Sequence, residues 1–120
     1  MAWQFQTDSP IYTQLIAQLQ GQIVTGVLRP GDRLPSVRDL ATQAGVNPNT
    51  MQRALTELER QELMYSQRTA GRFVTENAGR IGQLKESMAR TTVRDFLERM
   101  NQLGFQLEEI LQFIQTEGEK

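Results

Sequence analysis

The stretch Asn47-Pro48-Asn49-Thr50-Met51-Gln52-Arg53 gathers more chemically directed groups than any other part of this 120-residue chain. Asparagine and glutamine amides donate and accept together and match the edge of adenine. An arginine fork matches guanine, and threonine reaches a thymine methyl or a phosphate. No carboxylate interrupts the set. A second group, Ser36 and Arg38, stands at the start of a helix, where free N–H groups can hold a phosphate. A third, Arg68, Gly71 and Arg72, surrounds a tight turn whose arginines could lie along a phosphate ridge or enter a minor groove. The plainer alternatives are that any water-soluble helix has a polar outer face and that surface arginines pair with nearby acids.

Other chemistries are poorly supplied. The chain has no cysteine and no histidine, so a zinc site would have to be all-carboxylate, and none is expected; no cofactor is expected either. Ser9, Ser36, Ser66 and Ser87 have no base beside them in the sequence, and no glycine loop suits phosphate transfer. Catalysis is therefore not expected. Two binding functions remain open, one in which the polar helix face meets a nucleic acid and one in which it meets a protein.

The elements that must hold these groups can be read from periodicity. Ser9-Pro10 is a helix opening, with serine as cap and proline in the first turn, followed by Ile11, Leu15, Ile16, Leu19 and Ile23 at helical spacing. Gly26 and Arg29-Pro30-Gly31 stop it. Ser36 and Asp39 form the pattern of a capping box for a second helix with Val37, Leu40 and Ala41 inward. Ala44-Gly45-Val46 turns the chain, and Asn47 with Pro48 starts a third helix, so the pair reads as a helix-turn-helix. On the third helix Met51, Ala54, Leu55 and Leu58 share one face, whereas Asn49, Arg53 and Thr56 fall opposite and Thr50 and Gln52 on the flanks. Met64–Gln67 and Arg72–Thr75 predict a hairpin. From Asn77 the pattern is helical to about Leu103, and after Gly104 a last helix carries Leu107, Ile110, Leu111 and Ile114. Met1 to Gln6 has the look of a stub strand or staple.

The net charge of −1 conceals an asymmetry. Residues 1–80 carry eight arginines, no lysine and seven carboxylates, whereas residues 81–120 carry five cations and seven carboxylates. The planar guanidinium suits bidentate contact with phosphate and guanine. No apolar run approaches the roughly 18 residues of a membrane span, and no export signal pattern opens the chain. The expectation is a cytoplasmic protein with no membrane partner.

The expected fold class is mainly α with a small β-hairpin wing: an N-terminal winged helix-turn-helix over residues 1–76 and a C-terminal two-helix dimerisation segment over 77–120. A helix from about Gly79 to Leu103 would reach roughly 36 Å, against a radius of gyration of about 13–14 Å for a domain of this size. Its apolar residues, with those of the last helix, need a partner surface. The candidates are Leu84, Met88, Phe96, Leu97, Met100, Leu103, Phe105, Leu107, Ile110, Leu111 and Ile114. A second copy would cover them about a two-fold axis. The lapse in the apolar stripe over Ala89–Thr92 argues against one straight coiled coil and for an interlocked four-helix packing. Alternatively, Met88, Phe96, Met100 and Phe105 could line a cavity for an unidentified small-molecule effector.

The segments Pro10–Leu15, Gly26–Ala41, Gly45–Leu55 and Gly71–Val74 together resemble the GntR family of bacterial regulators, in order, spacing and identity, over about two-thirds of the chain. Phe96–Phe105 and Leu107–Ile110 resemble its YtrA-like branch. The resemblance implies a two-helix dimerisation segment and a repressor role, often over a nearby transporter operon, and two reading heads on the homodimer axis would meet a pseudo-palindromic double-stranded DNA operator. The resemblance also matches Arg38 to a DNA-contacting arginine, Thr50 to a recognition-helix threonine and Gly71 to the wing glycine. Pro48 and Gln52 replace arginines common in the family, so the base sequence read does not transfer. Gln106 replaces a frequent serine, which implies a weak cap for the last helix.

Overall fold

Leu15, Leu19 and Ile23 recur every fourth residue, and they are the residues that helix α1, Ile11–Val24, buries. The computed structural model describes residues 3–120. Ser9 is not the cap of α1: Pro10 holds the N-cap position in extended geometry and no side chain caps the helix. The first turn is steadied instead by Thr13, whose hydroxyl donates to the Pro10 carbonyl at 3.0 Å.

The segment before α1 is held in an unusual way. The Gln18 amide accepts from the Gln4 N–H and donates to the Gln4 carbonyl, and the Gln14 amide does the same with Gln6. Two residues of extended chain advance about 6.6 Å, and four residues of helix advance about 6 Å. Glutamines at i and i+4 therefore stand in register with alternate strand residues and replace a β-partner. Trp3 and Phe5, which alternate with the paired residues, stack with centroids 6.3 Å apart. Of the expected stub strand or staple, residues 3–6 form no strand and act as a staple; Met1 and Ala2 lie outside the described residues.

Helix α2, Val37–Ala44, starts where the Ser36 hydroxyl accepts from the Asp39 N–H at 3.1 Å. Only this half of the expected capping box forms; no return bond from the Asp39 carboxylate exists among the described residues. Gly45 ends α2 at φ 72°, a left-handed conformation that costs glycine nothing and reverses the chain into the next helix. Asn47 then caps α3, Pro48–Arg60, by accepting from the Asn49 N–H at 2.7 Å. Met51, Ala54, Leu55 and Leu58 of α3 are almost completely buried, and α3 packs against both α1 and α2.

Strands β1, Met64–Gln67, and β2, Gly71–Val74, pair antiparallel with Met64 opposite Val74 and Gln67 opposite Gly71. Sequence periodicity did not reveal a third participant. The loop after α1 lies along β2: the Leu34 N–H donates to the Arg72 carbonyl at 2.9 Å, the Val74 N–H to the Asp32 carbonyl at 2.9 Å, and Arg33 bridges Phe73. The wing is thus fastened on both sides of β2.

The chain divides into two units, the first running to Leu84 and the second covering Lys85–Lys120. Helix α4, Ala78–Gln102, is capped by Asn77, whose side chain accepts from the Arg80 N–H at 3.0 Å. It continues without a break through Ala89–Thr92, where the apolar stripe lapses but the backbone does not. Helix α5, Leu107–Gly118, is better capped than its glutamine suggested, because the Glu109 carboxylate accepts the Gln106 N–H at 3.0 Å.

Leu55 is 1% exposed in the centre of the first unit. Its replacement by alanine is expected to cost about 2–5 kcal/mol, read as a lower urea midpoint with unchanged slope. Leu111→Ala, on the exposed face of α5, should leave the unfolding of the isolated chain within about 0.5 kcal/mol.

Candidate nucleic-acid interface

Burial of one face of α3 dictates what its other face presents. With Met51, Ala54, Leu55 and Leu58 inward, Asn49, Gln52, Arg53 and Thr56 are exposed and Thr50 is half-buried on the flank. Asn47 is exposed but commits its side-chain oxygen to the cap, which leaves its amide N–H groups for a ligand. Ser36 and Arg38 are exposed at the start of α2, and Arg38 makes no ion pair among the described residues. The face is rich in donors and contains no carboxylate in the first two turns of α3.

Arg53 does not simply point outward. Its guanidinium lies 4.5 Å from the centroid of the Tyr12 ring on α1. The helical wheel places Arg53 opposite the core but says nothing of a ring on another helix. An exposed cation–π contact is worth about 0.5–1 kcal/mol, whereas a bidentate arginine–guanine pair is worth about 1–3 kcal/mol of discrimination. A base edge can therefore draw Arg53 off the ring.

The wing arginines separate into two roles. Arg68 is exposed at the tip without an ion pair among the described residues. Arg72 is tied down: its Nε donates to the Glu59 carboxylate at 2.8 Å, and Ser66 donates to the same oxygen. Partial burial opposes the charge on Glu59, but the bonds from Ser66 and Arg72 outweigh it and hold the carboxyl below its usual range. Arg72 thus braces the wing against α3. Gly71, at φ 109°, does more than permit a turn, since a Cβ there would lie 3.2 Å from Nε of Arg33. The guanidinium of Arg33 occupies that space. Arg33 was missed in the sequence because its position depends on the pairing of residues 32–34 with β2.

Between the start of α2, the outer side of α3 and the wing lies a cleft of about 410 Å³, lined by Arg33, Leu34, Pro35, Ser36, Val37, Gln52, Ser66, Gln67, Arg68, Gly71 and Arg72. It brings together Ser36, Gln52, Arg68, Gly71 and Arg72 of the expected set, with no acid in its walls. Asn47, Asn49, Thr50 and Arg53 do not line it, and neither does Arg38.

In the second unit the exposed large apolar residues include Phe96, Leu103, Leu107, Leu111 and Ile114, as well as Val93 and Phe113, which were not among the candidates. Met88, Leu97, Met100 and Phe105 are half-buried. Ile110 is already enclosed, and so is Leu84 within the first unit, so neither needs a second copy to cover it. Phe113 meets Phe105 edge-on at 5.1 Å. The hollow of about 330 Å³ beside that pair is lined by Phe105, Glu109, Gln112, Phe113, Thr116 and Glu117, and Met88, Phe96 and Met100 take no part in it.

Near the C-terminal end of α3, bonds from Arg60 and then Gln61 lower the Glu57 carboxyl from its usual 4.5 to about 2. A depressed carboxyl stabilises the fold above its unfolded value, so this contribution is complete above pH 4.5 and fades as pH falls toward about 2. Side-chain carbon NMR should find the Glu57 midpoint near 2, and Arg60→Ala should return it toward 4.5.

Known proteins share this arrangement. Residues 11–74 match the bacterial regulatory proteins of the gntR family. The chain is 35% identical over 109 residues to the HTH-type transcriptional repressor YtrA of Bacillus subtilis, covering 90% of this chain and 84% of that one. It superposes on a GntR family transcriptional regulator from Listeria monocytogenes with a TM-score of 0.86 at 40% identity, covering 93% of this chain and 98% of the other. The DNA-binding domain of AraR in complex with operator ORX1 is also similar, with a TM-score of 0.56 and 29% identity over 62% of this chain and 96% of that one. With its winged helix-turn-helix and a match that covers more than half its length, the chain belongs to the GntR family of DNA-binding transcription regulators, on the YtrA-like side.

Proposed function

We propose that the protein is a repressor that binds a pseudo-palindromic double-stranded operator as a homodimer, with Asn49, Gln52 and Arg53 reading bases in the major groove. The observation that carries this reading is the division of α3: four apolar residues are sealed against α1 and α2, and the opposite side offers amides and a guanidinium with no acid among them. Arg38 and Arg68 take phosphates on either side, and Thr50 serves as a further contact at the flank of α3. The similarity to a protein named as a repressor supports the direction of control. The resemblance to the YtrA-like branch makes a neighbouring transporter operon the first place to seek the operator.

The dimer follows from the apolar residues left uncovered on the second unit. Leu103 is 71% exposed and Leu107 58%, and Leu111 and Ile114 are about half exposed. Large contiguous apolar patches on a soluble chain mark interaction sites, and a two-fold pairing buries the same face from each copy. Two reading helices on one axis would meet half-sites about 34 Å apart or a multiple of it. Such a regulator acts on the chromosome in the cytoplasm.

Mobility shift against the DNA upstream of the protein's own operon should show a complex that weakens steeply with salt as phosphate contacts release counterions. Asn49→Ala with Arg53→Ala should abolish the preference for that DNA over unrelated duplex while the fold and the dimer persist. Retained preference would favour a protein as the partner of this face. Light scattering should report twice the 13.7 kDa chain mass, and Leu107→Ser with Leu111→Ser should return it to one.

A further inference from the structure

The cleft beside the wing gathers three arginines, of which only Arg72 has a counter-charge among the described residues. Arg33, Arg68 and Arg72 enter its walls, and the lining contains no carboxylate. Glu59 neutralises Arg72 from the α3 side, and Arg33 and Arg68 have no ion pair among the described residues. Arg33 and Arg68, both solvent-exposed, leave the hollow electropositive, and that field favours an anion placed between them.

The remaining polar groups point to the same chemistry. Ser36 accepts the Asp39 N–H but its hydroxyl hydrogen has no acceptor among the described bonds. Gln52 borders the cleft on its α3 side, with only a long 3.4 Å bond to Thr56, so the base-reading helix adjoins the phosphate seat. Arg33 is held in place from two directions, by the backbone pairing of its loop with β2 and by the empty side-chain position of Gly71 over which its guanidinium lies.

We infer that this cleft seats one backbone phosphate of the DNA duplex and that Arg33 is its principal cation. This rests on the proposed DNA-binding function, and it adds a contact that couples the wing to the start of α2 on the same strand. An oxyanion on a tetrahedral centre suits the arginine fork and the serine hydroxyl together. The contact fixes register and carries no sequence information.

The salt dependence of binding tests it with the full-length chain. Each lost phosphate contact lowers the slope of log K against log salt by about 0.9. Arg33→Ala should reduce the slope by that amount and weaken operator and unrelated duplex by the same factor, and Arg33→Lys should restore the slope. Unchanged circular dichroism and dimer mass would keep the result from reflecting lost structure. Wild-type binding with an Arg33→Ala slope equal to wild type overturns this inference and leaves the proposed function standing. Absence of any DNA binding by the wild type overturns both. Inorganic phosphate should move the Arg33 Nε–H resonance weakly, and operator duplex should displace it; a phosphate that stays bound with the duplex in place would make the cleft a small-anion site and overturn its assignment to the duplex.

Discussion

The orientation of α3 is the constraint on which the rest of the first unit depends. Met51, Ala54, Leu55 and Leu58 enter a core shared with Leu15, Leu19 and Ile23 of α1 and with Leu40 of α2. Burying each large aliphatic side chain contributes about 1.5–3 kcal/mol, so rotating α3 by even a third of a turn would forfeit several such contributions. No surface interaction of Asn49 or Arg53 could compensate. The outward set is therefore imposed by the inward one. Caps at Ser36 and Asn47 and the left-handed Gly45 then set where each helix begins and how the chain turns between them.

The wing uses a different kind of force. Its strands are only four residues each, too short to stand alone, and they gain support from polar links on both sides. Glu59 joins Ser66 and Arg72 to α3, and the loop at residues 31–34 adds backbone bonds along the free edge of β2. Stacking of Tyr65 on Phe73 at 5.5 Å steadies the pair across the strands. One arginine is spent on fastening while two others stay open at the cleft and the tip. Basic residues of the same type thus perform different tasks, and the difference lies in whether a carboxylate is within reach.

The second unit shows the opposite balance. Its helices are well formed and capped, yet much of their apolar surface is uncovered in the single chain. The first unit closes its own core, and the second retains an apolar face without closing one.

Composition and periodicity by themselves determined the element order, the inward and outward faces of α3, the hairpin and the length of α4, because each depends on neighbours within a few residues. They also located the donor-rich groups at Ser36, Arg38, Asn47–Arg53 and Arg68–Arg72. Only the tertiary structure decided which of those arginines are free. Arg72 is bound to Glu59, thirteen residues away, Arg53 rests on Tyr12 from another helix, and Arg33 gains its place from a strand pairing across the fold. It also showed that Gln14 and Gln18 act as a surrogate strand, and that Leu84 and Ile110 are already enclosed. The physical reason is the same throughout: periodicity tells which way a side chain points from its own backbone, whereas a charge or an amide takes its role from whatever the folded chain brings to within about 3 Å of it.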